Sequence, residues 1–286
     1  MLRHDFSDRM PKNYNLNIIS CTHFGNVAIS MPAIRRFIKT VKEDKNAYWA
    51  HLGDTTESIH PGDTRYDPAV HAGKFRTADE QAARFAETFS PIANKCLFVL
   101  RGNHEEKIVK TVEVDKIIVE NFEDKYGIDK GKIIYGGRTI KAILSEDFRL
   151  YATHGSGSVN SRAGDRRQIL NNDAIRVKRK LRHLQSDCIV MVMGHIHKVR
   201  ICAPVKQLHI VGDKRSEAVY PTMAKTPEGV IPEDFRWYCS SGTFLRTLID
   251  GVTTYSEAAM YPPTEIGYIR IIVEQGRVQD VEKVVV

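Results

Sequence analysis

Lys95-Cys96-Leu97-Phe98-Val99-Leu100-Arg101-Gly102-Asn103-His104-Glu105 joins a short apolar run to a cluster of polar residues able to bind metal. The run 95–100 is too short for a typical helix and reads as a buried strand. A polar cluster directly after such a strand sits on a loop with a rigid base, where binding and catalytic groups collect. The same junction recurs four times. Cys21-Thr22-His23 follows the run 16–20, and His51-Leu52-Gly53-Asp54 closes the run 47–52. Thr153-His154-Gly155 closes 149–153, and Gly194-His195-Ile196-His197 follows 189–193. Runs at 139–144 and 236–240 read as strands without such a cluster.

Helical patterns fill 31–45, 77–89 and 172–184, with a longer one across 104–126. Thr77 and Glu80 have the spacing of a capping box at the second. Strand and helix alternate early and strands dominate later, which predicts an α/β fold: a mixed sheet or two stacked sheets flanked by helices. The tail 267–286 alternates around Gln275-Gly276 and reads as a closing hairpin. Segments 55–75 and 211–235 carry Gly, Pro and charge without periodicity, and both are expected at the functional rim.

The length of 286 residues suits a single large α/β domain with a core that needs no disulfide. Five cysteines with no Cys-x-x-Cys pair point away from a disulfide framework and from a zinc ribbon. Cys96, Cys188, Cys202 and Cys239 read as small core residues. No run is long enough to span a membrane and the N-terminus lacks the apolar core of a secretory signal, so the expectation is a cytoplasmic protein without a membrane partner. Net charge is +7. Part of the excess is local, because 162–182 holds Arg162, Arg166, Arg167, Arg176, Lys178, Arg179, Lys180 and Arg182 against Asp165 and Asp173. That run is either a solvated helix face or a contact for a polyanion such as DNA or RNA, with Arg176 and Arg179 as its candidate contacts.

The five junctions suit metal chemistry. Outer residues of Cys21-Thr22-His23 and His195-Ile196-His197 are two apart, so in extended chain they would point the same way and grip one cation or two neighbours. Glycines before Asp54, Asn103 and His195 allow tight turns at strand ends. Asp54 could bridge two cations with its two oxygens, and such a pair would clamp a phosphate and activate water. One His-x-His or Gly-Asp alone means little; five junctions in this order are hard to obtain by accident.

Over roughly residues 17–200 the sequence resembles the calcineurin-like metallophosphoesterases. Their usual pattern runs Asp-x-His, Gly-Asp, Gly-Asn-His-Asp/Glu, His-Gly and Gly-His-x-His. The resemblance implies an αββα sandwich of two stacked mixed sheets, with the strands and hairpin of 236–286 completing it. It also implies two divalent cations: one held by Cys21, His23, Asp54 and His197, the other by Asp54, Asn103, His154 and His195. By the same likeness His104 would protonate the leaving oxygen or steady the transition state, and Glu105 would hold or orient it. Attack on phosphorus would be in line, by a metal-activated hydroxide. Arg101 could contact a phosphate oxygen or form a structural salt bridge.

Cys21 departs from the family pattern, which has aspartate there. A thiolate is a soft ligand, which tilts that position toward zinc or iron, with manganese also acceptable to the centre and magnesium disfavoured. The resemblance leaves the substrate open among protein phosphatases, nucleotide phosphodiesterases and nucleases. Positive charge favours a phosphodiester of nucleic acid or nucleotide. Residues 240–244 with Tyr255, Tyr261 and Pro262-Pro263 look similar to tails of phage-type, DNA-repair exonuclease-like members, whose aromatics could stack bases or simply pack. The alternatives are a phosphomonoesterase or protein phosphatase, and a binding module weakened by Cys21.

Overall fold

Apolar runs with period two place successive side chains on opposite faces of a strand, and runs apolar on both faces need cover on each side. In this computed structural model, which describes residues 1–64, 66–71, 77–212 and 217–286, that cover is complete. The strands are β1 (Leu2–Asp5), β2 (Tyr14–Ile19), β3 (Ala47–His51), β4 (Cys96–Val99), β5 (Ile134–Tyr135), β6 (Thr139–Ile143), β7 (Arg149–Thr153), β8 (Val190–Met193), β9 (Val199–Cys202), β10 (His209–Val211), β11 (Glu217–Val219), β12 (Trp237–Ser241), β13 (Gly267–Glu274) and β14 (Arg277–Val285). The helices are α1 (Met31–Glu43), α2 (Ala78–Phe89), α3 (Asn103–Ile108), α4 (Val114–Tyr126), α5 (Arg166–Leu181) and α6 (Tyr255–Ala258).

One six-stranded sheet runs β1-β6-β7-β8-β12-β9 and the other β14-β13-β2-β3-β4-β5, while β10 and β11 pair alone. Both six-stranded sheets are mixed. Ile140, Leu150, Val192 and Cys239 of the first sheet meet Ile18, Ala50, Phe98 and Ile271 of the second in a shared interior. On the second sheet's outer face Trp49 packs with Phe37 of α1, Phe89 of α2 and Val119 of α4. On the first sheet's outer face Tyr151, Met191 and Tyr238 pack with Val177 and Leu181 of α5. Strand β8 shows the rule: Val190 and Val192 face the shared interior and Met191 and Met193 face α5. The architecture is two stacked mixed sheets flanked by helices.

Local signals decide where elements begin and end. Thr77 caps α2 with both arms of its box made to Glu80. Helix α5 starts earlier than its apolar period, at Arg166, because the Asp165 side chain accepts the Gln168 N–H at 2.9 Å and caps it there. The helical pattern across 104–126 is two helices, α3 and α4, separated by a turn at 109–113. Strands β5, β10 and β11 have only two or three residues, too few for a period to show in sequence, and β1 (Leu-Arg-His-Asp) and β9 (Val-Arg-Ile-Cys) lack an unbroken apolar run. Gln275 and Gly276, both at positive φ, turn β13 into β14.

Strands β2, β3 and β4 are mutually parallel, as are β7, β8 and β12. Ligand-bearing loops leave the C-terminal ends of β2, β3, β4, β7 and β8, where open α/β sheets place their sites. The segment 211–235 lies elsewhere, which corrects the expectation that it forms the rim. Trp237 at the start of β12 pairs with Val190 at the start of β8, and Ile231 N–H donates to Ser186 O. Its residues 225–235 therefore lie at the opposite end of the sheet, beside Gln185, Ser186 and Asp187; residues 213–216 lie outside the described residues. The other expected rim segment does reach the ligand end, through Glu57 and His71, though residues 65 and 72–75 lie outside the described residues.

Candidate metal centre

Backbone pairing continues past the strand ends and aligns the first two ligand loops. Cys21 N–H donates to Gly53 O and His23 N–H to Asp54 O, each at 3.0 Å. The loops approach so closely that a Cβ on Gly53 would lie 2.4 Å from Gly102 N, and one on Gly102 would lie 2.1 Å from Asp54 Oδ1. Gly53 also sits at φ +97°, so it serves both purposes, and Gly102 serves the close approach alone.

The extended-chain reading of the paired motifs is incorrect. Cys21, His23, Asp54, His195 and His197 all have left-handed backbone, with φ of 53°, 49°, 54°, 68° and 54°. Non-glycine residues there carry strain of about 1–3 kcal/mol each, and such strain collects where surroundings force a functional geometry. Convergence of each pair comes from this winding rather than from strand alternation.

Two of the resulting groups of possible ligands share one carboxylate, Asp54, and a third joins His23 to Glu57 and His104. Ligand atoms of Cys21, His23, Asp54 and His197 lie within 4.8 Å of one another, as do those of Asp54, His154 and His195. Asn103 joins the second group, its Oδ1 2.9 Å from His154 Nε2 and 2.8 Å from His195 Nδ1. Asp54 Oδ2 faces both groups, 3.7 Å from His23 Nε2 and 3.3 Å from His154 Nε2. Asp54 Oδ1 instead accepts the His104 backbone N–H at 3.1 Å. Oδ2 is thus the Asp54 oxygen that lies between the two groups.

These donors fit divalent cations. Cation–ligand bonds of about 2.0–2.2 Å put neighbouring ligand atoms about 3.0–3.5 Å apart, close to the spacings in the second group. His23 Nε2 is buried without a hydrogen-bond partner, an orphan that a cation would satisfy. His23 Nδ1 lies 3.0 Å from Glu57 Oε2 and His154 Nδ1 2.9 Å from Leu52 O. Both must donate there, which turns each Nε2 toward its group, where it would present a lone pair to a bound cation, the usual outer arrangement of metal-binding histidine. Cys21 is fully buried, with Sγ facing the first group.

Glu57, which the sequence did not single out, holds the site from behind. Its carboxylate meets His23 and, at 3.2 Å, His71 Nε2. Its carbonyl lies 2.6 Å from His104 Nδ1. A carbonyl can only accept, so His104 donates from Nδ1 and its Nε2 is the nitrogen that carries or releases a proton. The His104 and His23 rings meet edge to face at 4.6 Å. Glu105 does not hold His104. Its carboxylate accepts the N–H groups of Asp54, Gly102 and Thr56 and the Thr55 hydroxyl, tying the Asp54 and Asn103 loops together. Arg101 is likewise structural, because it grips Asp115 of α4 through Nε and Nη2 at 3.0 and 3.1 Å.

The basic run divides. Lys178 pairs with Asp234 at 2.8 Å and Arg182 with Glu233 at 3.4 Å, away from the ligand loops. Arg176 and Arg179 are exposed on α5, and Arg176 donates to Asn160 O. Phe244 is fully buried and packs on Phe37, so it is core and not a base platform; the Tyr255 side chain lies outside the described residues.

Burial lowers His51 and His197 to about 3 and, with His154 beside it, His195 to about 4. Burial also lowers His23, but Cys21 and Glu57 outweigh it and raise that imidazole well above its ordinary value. Between pH 6.5 and about 4 the unfolded chain takes protons that His51, His195 and His197 refuse in the fold, so stability falls as pH falls. His23 adds nothing to that trend, since a raised group keeps its full contribution below 6.5. Metal-free protein should therefore melt at progressively lower temperature from pH 6.5 to 4. A flat melting temperature across that range would contradict the buried neutral imidazoles.

The calcineurin-like phosphoesterase family model matches residues 14–202. No curated protein matches the chain. Among solved structures it is similar to the phosphoesterase YfcE of E. coli, at 14% identity and TM-score 0.39, covering 94% of this chain and 98% of that one. A single mutant of Vps29 from Entamoeba histolytica is 12% identical with TM-score 0.39, over 95% and 99%. Vacuolar protein sorting 29 of Cryptosporidium parvum is 12% identical with TM-score 0.41, over 96% and 100%.

Proposed function

The chain belongs to the calcineurin-like phosphoesterase family, and on that premise we propose that it hydrolyses a phosphodiester of a nucleotide or nucleic acid at a dinuclear metal centre. The observation that carries the reading is the meeting of two ligand groups on Asp54 Oδ2, with His104 beside them. Cys21, His23, Asp54 and His197 would hold one cation, and Asp54, Asn103, His154 and His195 the other. Such cations supply Lewis-acid polarisation of a phosphoryl oxygen and make water more acidic.

The chain's own groups do the rest. Asp54 balances positive charge between the two groups and, through Oδ1, fixes the N-terminus of α3 and with it His104. His104, aligned by the Glu57 carbonyl, would deliver a proton from Nε2 to the departing oxygen. Glu57 and Leu52 O fix the ring orientations of His23 and His154. The diester preference is supported by the +7 charge and by exposed arginines on α5.

Hydrolysis of bis-p-nitrophenyl phosphate and p-nitrophenyl phosphate, each with manganese, zinc, iron and magnesium, tests the reading. The expected result is metal-dependent hydrolysis that favours the diester, with magnesium poorest. Preference for the monoester would replace the reading with a phosphomonoesterase, and no turnover with any cation would replace it with a binding module. Cys21→Asp should extend metal use toward manganese and magnesium; an unchanged metal profile would show that sulfur is not a ligand.

A further inference from the structure

The loop 155–160, which leaves His154 and leads toward α5, is edged by cations. Arg138 donates to Gly155 O at 2.9 Å, Lys180 to Ser156 O at 3.1 Å, and Arg176 to Asn160 O. Lys198 donates to Val159 O at 2.8 Å and to Asn160 Oδ1 at 2.7 Å. Of these four, only Lys198 has a carboxylate partner among the described residues, Asp173. The nearby acids are already committed: Asp173 to Lys198 and Arg200, Asp234 to Lys178, and Glu233 to Arg182. Arg138, Arg176 and Lys180 reach carbonyl oxygens and pair with no carboxylate among the described residues.

Arg138 begins this row at the metal centre itself. His154 N–H donates to Arg138 O at 2.9 Å, which places Arg138 beside the second ligand group. Lys180 and Arg176, both exposed, carry the row along the loop. They stand four residues apart on α5, about 6 Å along its axis. A nucleic-acid strand carries one charge per about 3.4 Å of helix axis, so this pair together with Arg138 suits more than one phosphate of one strand. A mononucleotide or a phosphoprotein side chain would leave part of the row unused.

We infer that Arg138, Lys180 and Arg176, set along the loop 155–160, form a track for the sugar-phosphate backbone of a nucleic-acid strand whose scissile phosphate lies at the metal centre. The inference rests on the phosphodiesterase reading and narrows it from any phosphodiester to a polynucleotide. Arg138 takes the phosphate nearest the reacting one, the position that Arg101, held by Asp115, does not fill.

The test has two independent arms. Fluorescence anisotropy with labelled single-stranded DNA and RNA of one sequence, in calcium buffer over a salt series, reads binding alone. Arg176→Glu/Lys180→Glu should weaken binding by about tenfold or more and lower the salt slope by about 0.7 per lost phosphate contact, with Lys39→Glu on α1 as the charge-matched control. Arg138→Gln should weaken binding, and Arg138→Lys should restore part of it. In the second arm, the ratio of kcat/KM on an oligonucleotide to kcat/KM on bis-p-nitrophenyl phosphate should fall in the double variant. Bis ester turnover together with strand binding that ignores these substitutions would overturn the track while leaving the phosphodiesterase reading intact. Track-dependent binding without turnover of either substrate would do the reverse. Binding of one nucleic acid and not the other would assign the sugar that the track accepts.

Discussion

Asp54→Ala should strip both cation positions and reduce hydrolysis to background. Among the described residues no other carboxylate faces both ligand groups, and Asp54 does so through one atom, Oδ2, 3.7 Å from His23 Nε2 and 3.3 Å from His154 Nε2. The carboxylate is buried among imidazoles. Burial alone would raise its pKa, but His154, then His104 and His23, hold it well below the ordinary carboxylate value, so it is ionised at neutral pH. Its loss removes the one anion shared by the two groups and leaves the second group with neutral donors only, Asn103, His154 and His195. Asp54→Asn separates charge from shape: it keeps an oxygen for the His104 N–H yet should still lose metal. Elemental analysis of both variants after dialysis checks this, and full metal content in Asp54→Asn would refute the bridging role.

His104→Ala should behave oppositely, retaining metal while turnover falls about 10²–10⁴-fold, the range for removing a proton-transfer group. The ring contributes no ligand atom to the two groups that share Asp54. It stands over His23, and its Nδ1 donates to the Glu57 carbonyl. Losing that bond costs about 1 kcal/mol of stability, too little to unfold the chain. Metal content and kcat measured side by side decide the matter, and equal metal loss in His104→Ala and Asp54→Ala would erase the division of roles.

Much of the fold could be read from local pattern. Runs such as 149–153 are bounded by polar residues and are apolar on both faces, so strand identity followed from burial alone. The helices with clear caps, such as α2 with Thr77, were equally legible. What escaped reading depends on partners distant in sequence or on backbone conformation. Glu57 lies in a stretch without periodicity, and its importance comes from His23, His71 and His104 meeting it in space. Arg101 could not be separated from a phosphate ligand until Asp115 came beside it. The left-handed turns at Cys21, His23, Asp54, His195 and His197 have no signature in residue type, because none of the five is a glycine. The segment 211–235 has the composition of a functional loop, yet the pairing of β12 with β8 carries its residues 225–235 to the far end of the sheet.

Anomalous scattering from crystals of metal-loaded protein, with elemental analysis of the same sample, tests the dinuclear centre most directly. Two peaks are expected, on either side of Asp54 Oδ2, one within about 2.3 Å of Cys21 Sγ and the other beside Asn103 Oδ1. A single peak, or peaks remote from Asp54, would contradict that centre.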